Sequence, residues 1–115
     1  MEVLAATPED LAFWESLDRH IAREELLKKI RDGRCFLIRQ NGEPVGVMRY
    51  NLFWDTIPFL TMLILREPFR RMGLGRHAMA FWEGEMRSLG HSCVMTSTQS
   101  DESAQHFYRA LGYRD

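Results

Sequence analysis

The stretch from Ile57 to Leu65, IPFLTMLIL, carries apolar side chains at odd and even positions alike. Because successive side chains of a strand point to opposite faces, a strand of this kind is buried on both sides and belongs inside a sheet covered by helices. The rest of the chain supplies those helices. Thr7-Pro8-Glu9-Asp10 offers an N-cap, a proline at the first helical position and acids in the first turn, and Leu11, Trp14, Leu17 and Ile21 then keep a helical spacing. A second amphipathic segment runs from about Ile21 to a closing Gly33. Beyond the apolar strand, Ala78, Phe81, Trp82, Met86 and Leu89 form a third helical stripe that ends at Gly90.

Further strands are expected at Val3–Ala6, Cys35–Arg39, Pro44–Phe53 and His91–Thr96, and Asn41-Gly42 marks a β-hairpin between the second and third of these. Ser100 can cap a last helix in which Ala104, Phe107, Tyr108 and Leu111 recur at helical spacing before Gly112. The pattern predicts an α/β fold, a sheet covered by helices. At 115 residues this is one domain, residues 1–115, with room for a core but not for two nucleotide-binding halves.

A formal net charge of -1 gives no global attraction to nucleic acid or to an anionic membrane, so any electrostatic function must be local. The N-terminus lacks the basic and apolar run of a secretory signal, and the Ile57–Leu65 run is too short to span a bilayer. The protein is expected in the cytoplasm. Cys35 and Cys93 stand apart without ligand spacing and read as buried free thiols, and the scattered histidines predict no metal site.

The local charge lies in FRRMGLGRHAMA, Phe69 to Ala80, where Arg66, Arg70, Arg71 and Arg76 surround a glycine turn opposed by Glu67 alone. A strand, a glycine turn and a helix start bring unpaired backbone N–H groups and the positive end of a helix dipole to one point, which suits a phosphate. The P-loop pattern is absent. Gly73-Leu74-Gly75-Arg76-His77-Ala78 satisfies GxGxxA, but a dinucleotide fingerprint requires its glycines directly after the strand, whereas Arg66 to Met72 intervene. On these residues alone a phosphate loop and a solvated arginine turn both stay open.

Arg70-Arg71-Met72-Gly73-Leu74-Gly75 also satisfies [QR]xxGx[GA], and it resembles the acetyl-CoA diphosphate loop of the GCN5-related N-acetyltransferases, the GNAT superfamily. DESAQHFYRALGY, Asp101 to Tyr113, resembles the last signature of that superfamily, with Ala104, Tyr108, Gly112 and Tyr113 in step. The two motifs occur in the family's order, separated by a helix and a strand.

The resemblance implies an α/β fold with a GNAT-like mixed sheet flanked by helices, in which two parallel strands splay apart and acetyl-CoA lies in the opening. The backbone of Leu63, Ile64 and Leu65 would bind the pantetheine arm, and the backbone from Arg71 through Met72, Gly73, Leu74 and Gly75 to Arg76 would hold the diphosphate, with Arg70 at the Gln/Arg position. Tyr108 matches the tyrosine that protonates the departing CoA sulfur. The implied reaction is direct attack of an amine, from a small molecule or a peptide, on the thioester. Several positions depart from the family. Asp101 replaces an asparagine, and Phe59 and Thr96 stand where relatives carry glutamates, leaving Glu67 and Asp55 as candidate bases; His106 lies on the helix of Tyr108. The family's last two strands have no counterpart, which suggests a truncated chain, a divergent protein or a homodimer that supplies the missing acceptor wall, and an alternative reading is a CoA-binding or protein-interaction module without turnover.

Overall fold

The computed structural model describes residues 1–96 of the chain. Five strands form one sheet in the order β1-β2-β3-β4-β5: β1 (Glu2–Ala5), β2 (Cys35–Gln40), β3 (Glu43–Phe53), β4 (Ile57–Leu65) and β5 (Met95–Thr96). The first four strands run antiparallel to their neighbours. β5 instead joins β4 in parallel, so the sheet is mixed, as the resemblance implies. The expected final helix after Ser100, and with it Asp101, His106 and Tyr108, lies outside the described residues.

Helices cover both faces. Helix α3 (Leu74–Ser88) packs Ala78, Met79, Trp82 and Met86 against Phe36, Met48, Tyr50 and Leu60. On the opposite face, Trp14 of α1 (Leu11–Leu17) and Leu26 and Ile30 of α2 (Arg23–Arg31) pack on Cys35, Leu37 and Val47. β4 serves both layers: Leu60, Leu63 and Leu65 join the α3 core and Ile64 the other. This double duty explains why its sequence is apolar at every parity.

The hairpin forms where Asn41-Gly42 predicts it, with φ of 54° and 78° at the two turn residues and Gln40 opposite Glu43. Such paired left-handed residues match the twist of the flanking strands. The first helix differs from the expectation. Pro8–Asp10 form a 3₁₀ turn in which the Asp10 carboxylate accepts the Thr7 N–H at 2.9 Å, and the α-helix that follows stops at Leu17 rather than continuing to Ile21.

Asp18 is the reason. Its backbone turns extended and its carboxylate is buried, where it accepts hydrogen bonds from Trp14 Nε1 at 3.1 Å, Arg49 Nε at 2.7 Å and the His20 N–H at 3.2 Å. The second helix therefore starts at Arg23, and it ends before Gly33 as expected.

The last expected strand is also shorter than its apolar pattern. Gly90 and His91 donate to the carbonyls of Arg87 and Met86 at 3.0 Å each, the paired bonds of a Schellman cap. This cap leaves Leu89 63% exposed, off the apolar stripe. The next residues, His91 to Val94, line a shallow cavity with Glu83 and Arg87 of α3, and the ladder with β4 begins only at Met95.

Candidate functional site

The residues after β4 build the candidate anion site. Pro68 starts a 3₁₀ turn, Glu67–Phe69, after which Arg71 at φ 63° and Gly73 at φ 80° both take the left-handed conformation. Two such residues so close together turn the chain sharply between the end of β4 and the start of α3. Gly73 is the N-cap, and its carbonyl accepts the first helical bond, from His77 N at 3.2 Å. The N–H groups of Leu74, Gly75 and Arg76 precede that bond and have no intrahelical acceptor, so they form an open donor cluster at the positive end of a helix of 15 residues. A Cβ built on Gly73 would meet nothing within 4 Å, so space outside the turn is open to a ligand.

The four arginines divide into two kinds. Arg66 is tied down: Nη1 donates to Glu43 at 3.2 Å and its guanidinium lies 5.6 Å from the centre of the Phe69 ring. Its charge is thus matched by Glu43, which corrects the expectation that Glu67 alone opposes the cluster. Arg70 folds back and donates Nε to the Leu65 carbonyl at 3.0 Å, which fastens the turn to the last residue of β4. Arg71 and Arg76 are exposed and, among the described residues, make no ion pair. The local positive charge at the helix start is therefore real, and it is carried mainly by Arg70, Arg71 and Arg76.

The pantetheine positions lie on the same strand. Among the described residues β5 pairs with β4 only at Phe59↔Met95 and Leu60↔Thr96, and the Thr96 hydroxyl donates to the Leu60 carbonyl at 3.3 Å. Past Leu60, among the described residues, β4 has a ladder partner only on its β3 side. Leu63, Ile64 and Leu65 are half-buried there, on a strand edge that has no ladder partner among the described residues.

Sequence reasoning missed a further feature where that edge begins. Tyr50 pairs with Leu60 but Arg49 pairs with Met62, so Thr61 is an extra residue on β4, a β-bulge. Its signal in the sequence was faint: a single hydroxyl in an apolar run. The candidate bases lie elsewhere. Asp55 sits at the β3–β4 turn with φ 64°, and Glu67 sits in the 3₁₀ turn beyond the other end of β4.

A parallel β4–β5 pair beside a glycine turn that starts α3 agrees with what is found among known proteins. The family model described as Acetyltransferase (GNAT) family matches residues 4–113, and the chain belongs to that family. Acetyl transfer is accordingly its class of chemistry.

No curated protein matches the sequence. Among solved structures, an acetyltransferase of the GNAT family from Bacillus cereus is 26% identical with a TM-score of 0.76, over 98% of this chain and 82% of that one. Aminoglycoside 6'-N-acetyltransferase AAC(6')-IG from Acinetobacter haemolyticus is 13% identical with a TM-score of 0.75, over 100% and 92% of the two chains. AAC(6')-Iy, solved with a bisubstrate analogue of CoA and acetylneamine, is 14% identical with a TM-score of 0.81, over 99% and 90%. The last two likenesses concern the fold.

Proposed function

We propose that the protein transfers an acetyl group from acetyl-CoA to an amine by direct attack on the thioester. The observation that carries this reading is the succession of two features along the chain: an edge of β4 that past Leu60 has no ladder partner among the described residues, and after it the donor cluster at Leu74, Gly75 and Arg76. An extended pantetheine arm adds to β4 through the N–H and C=O groups of Leu63, Ile64 and Leu65. The diphosphate rests on the amides from Arg71 to Arg76, within reach of the free end of the Arg70 guanidinium. Bound CoA in AAC(6')-Iy supports the choice of ligand.

With the diphosphate at the Leu65 end, the arm runs back along five residues to Leu60, about 17 Å of strand, and delivers the thioester to the closed end of the opening. There the unpaired backbone at the Thr61 bulge can donate to the oxyanion. The amine nitrogen bonds to the acetyl carbon, the C–S bond breaks, the sulfur takes a proton and the amide nitrogen releases one. Tyr108, which matches the family tyrosine, is our choice for the sulfur's proton donor. The acceptor is a small-molecule or peptide amine, handled by a single domain in the cytoplasm.

Thiol release tests this reading. Acetyl-CoA with a mixed panel of amines and peptides should yield free CoA; Tyr108→Phe should slow turnover by about a hundredfold with CoA affinity intact. Gly73→Val should instead weaken CoA binding, since its side chain enters the open space at the cap and strains a left-handed residue. If Tyr108→Phe leaves turnover unchanged, the acid is another group.

The second reading, a CoA-binding module without turnover, draws on Phe59 and Thr96, which put no carboxylate at these positions of the β4–β5 pair. CoA binding with no thiol release across the panel would establish it.

A further inference from the structure

The face of the sheet on the α2 side, next to the closed end of the opening, carries an unusual combination of groups. Asn51 lies opposite Phe59 across the β3–β4 ladder, so their side chains share one face. Lys29 reaches over from α2 and donates to Asn51 Oδ1, which identifies that face as the α2 side. The Phe59 ring lies 6.3 Å from that of Phe53, and Phe53 lies 4.8 Å from Trp54. These aromatics are open to a ligand: Phe53 is 39% exposed and Trp54 77%.

The charge on this face is one-sided. The carboxylates nearby are already matched, Asp18 by Arg49 at 2.7 Å, Glu15 by Arg23 at 2.7 Å and Glu25 by Lys28 at 3.4 Å. Among the described residues Lys29 has no carboxylate within ion-pair distance. It is half-buried, and burial first, then the charge of Arg49, hold its ammonium below the ordinary lysine value. A cation desolvated in this way and left without a counterion gains from an incoming carboxylate and repels an incoming ammonium.

Phe59 is also the residue immediately before Leu60, where the proposed path of the coenzyme arm ends. From Lys29, Asn51, Phe53 and Phe59 we infer that the acceptor is a small aromatic α-amino acid, its carboxylate on Lys29, its ring on Phe53 and Phe59, and its amine at the thioester. The inference rests on the acetyl-transfer reading above. It sets this chain apart from the aminoglycoside enzymes that share its fold, because a polycation would meet Lys29 unmatched.

The test uses two ligands that differ in one group, titrated calorimetrically into the protein with and without saturating CoA. N-acetyl-L-phenylalanine carries the ring, the product amide and the carboxylate, whereas N-acetylphenethylamine lacks only the carboxylate. The first should bind about tenfold more tightly, one well-placed ion pair's worth, and Lys29→Met should erase the difference while leaving CoA affinity unchanged. In thiol-release assays L-phenylalanine should outperform phenethylamine, spermidine and an aminoglycoside.

Equal affinities for the two ligands, a preference that survives Lys29→Met, or faster acetylation of spermidine would each overturn the inference. The ligand pair on the unaltered protein decides the matter alone should the variant fail to fold. Absence of CoA binding would sink the acetyl-transfer reading separately, since the ligand pair still reports on this corner.

Discussion

Two thiols that look alike in the sequence meet opposite fates in the fold. Cys35 is 1% exposed between β3 and the α2 side of the core, where burial pushes its thiol up to about 12. Cys93 instead stands exposed in the connection between α3 and β5. The expectation of two buried thiols fails at Cys93 because its neighbours, His91 to Val94, pack beside α3 instead of continuing the sheet. The thiolate is the reacting species, so Cys35 is held back twice, by burial and by its raised pKa, whereas Cys93 is accessible. Iodoacetamide at pH 8 should add a single adduct to the native protein and two after denaturation, read by intact mass. Native modification of Cys35 at a matching rate would mean that the α2 layer opens readily. The arginines teach the same lesson at residue scale. Their sequence shows only charge, whereas the fold assigns Arg66 to Glu43, Arg70 to a β4 carbonyl, and Arg71 and Arg76 to the open side of the turn.

Between elements, the Asp18–Arg49 pair joins the end of α1 to the middle of β3. Burial alone would raise the Asp18 pKa, but hydrogen bonds from Arg49 and Trp14, with the charge of Arg49, outweigh it and hold the carboxyl below its ordinary value. Asp18→Ala would leave the Arg49 charge buried without a partner, a loss of about 3–5 kcal/mol of stability. The pH dependence has a definite sign. A carboxyl whose folded pKa is depressed stabilises the fold above its unfolded value, about 4, and that contribution disappears as pH falls through the lower folded pKa. Urea midpoints of the parent should therefore drop below about pH 4, and the Asp18→Ala protein should lose less over the same interval. A variant as stable as the parent at pH 7 would show that the pair is neutral. This pair also explains what was legible in the sequence. Asn41-Gly42 fixes a hairpin by the conformation of two adjacent residues, and apolar spacing located α2, α3 and β4, because all these signals are local. Nothing local distinguishes Asp18 from a surface acid following Leu17, so the spacing carried the first helix on to Ile21. The glycine turn before α3 was legible as a motif, but the Thr61 bulge depends on register with β3, and the Lys29 corner depends on α2 packing over β3 and β4.

For the molecule as a whole, the sheet places its two cores on either side of one strand, β4. Among the described residues β4 holds the α3 layer through Leu60, Leu63 and Leu65 and the α2 layer through Ile64, yet its β5-side edge is engaged for two residues only. A coenzyme arm laid along that edge would satisfy strand N–H and C=O groups and clamp the start of α3 to the end of β4, where Arg70 already holds the Leu65 carbonyl. Such a ligand binds the folded chain and has nothing comparable to bind in the unfolded one, so its affinity adds to global stability. At a hundred times its dissociation constant, acetyl-CoA should contribute about 2.7 kcal/mol. For a chain of this size that corresponds to a rise of roughly 10 °C in the thermal midpoint. Differential scanning fluorimetry over a concentration series should show a midpoint that climbs with the logarithm of acetyl-CoA, and equally with free CoA, since the acetyl group adds little contact. NADH should give no climb, because Arg66 to Met72 displace the glycines from a dinucleotide cradle. Gly73→Val should flatten the acetyl-CoA curve while leaving the ligand-free midpoint close enough to the parent's to measure. A midpoint indifferent to millimolar CoA in the unaltered protein would mean that the open edge of β4 and the donors at the start of α3 do not act on one ligand.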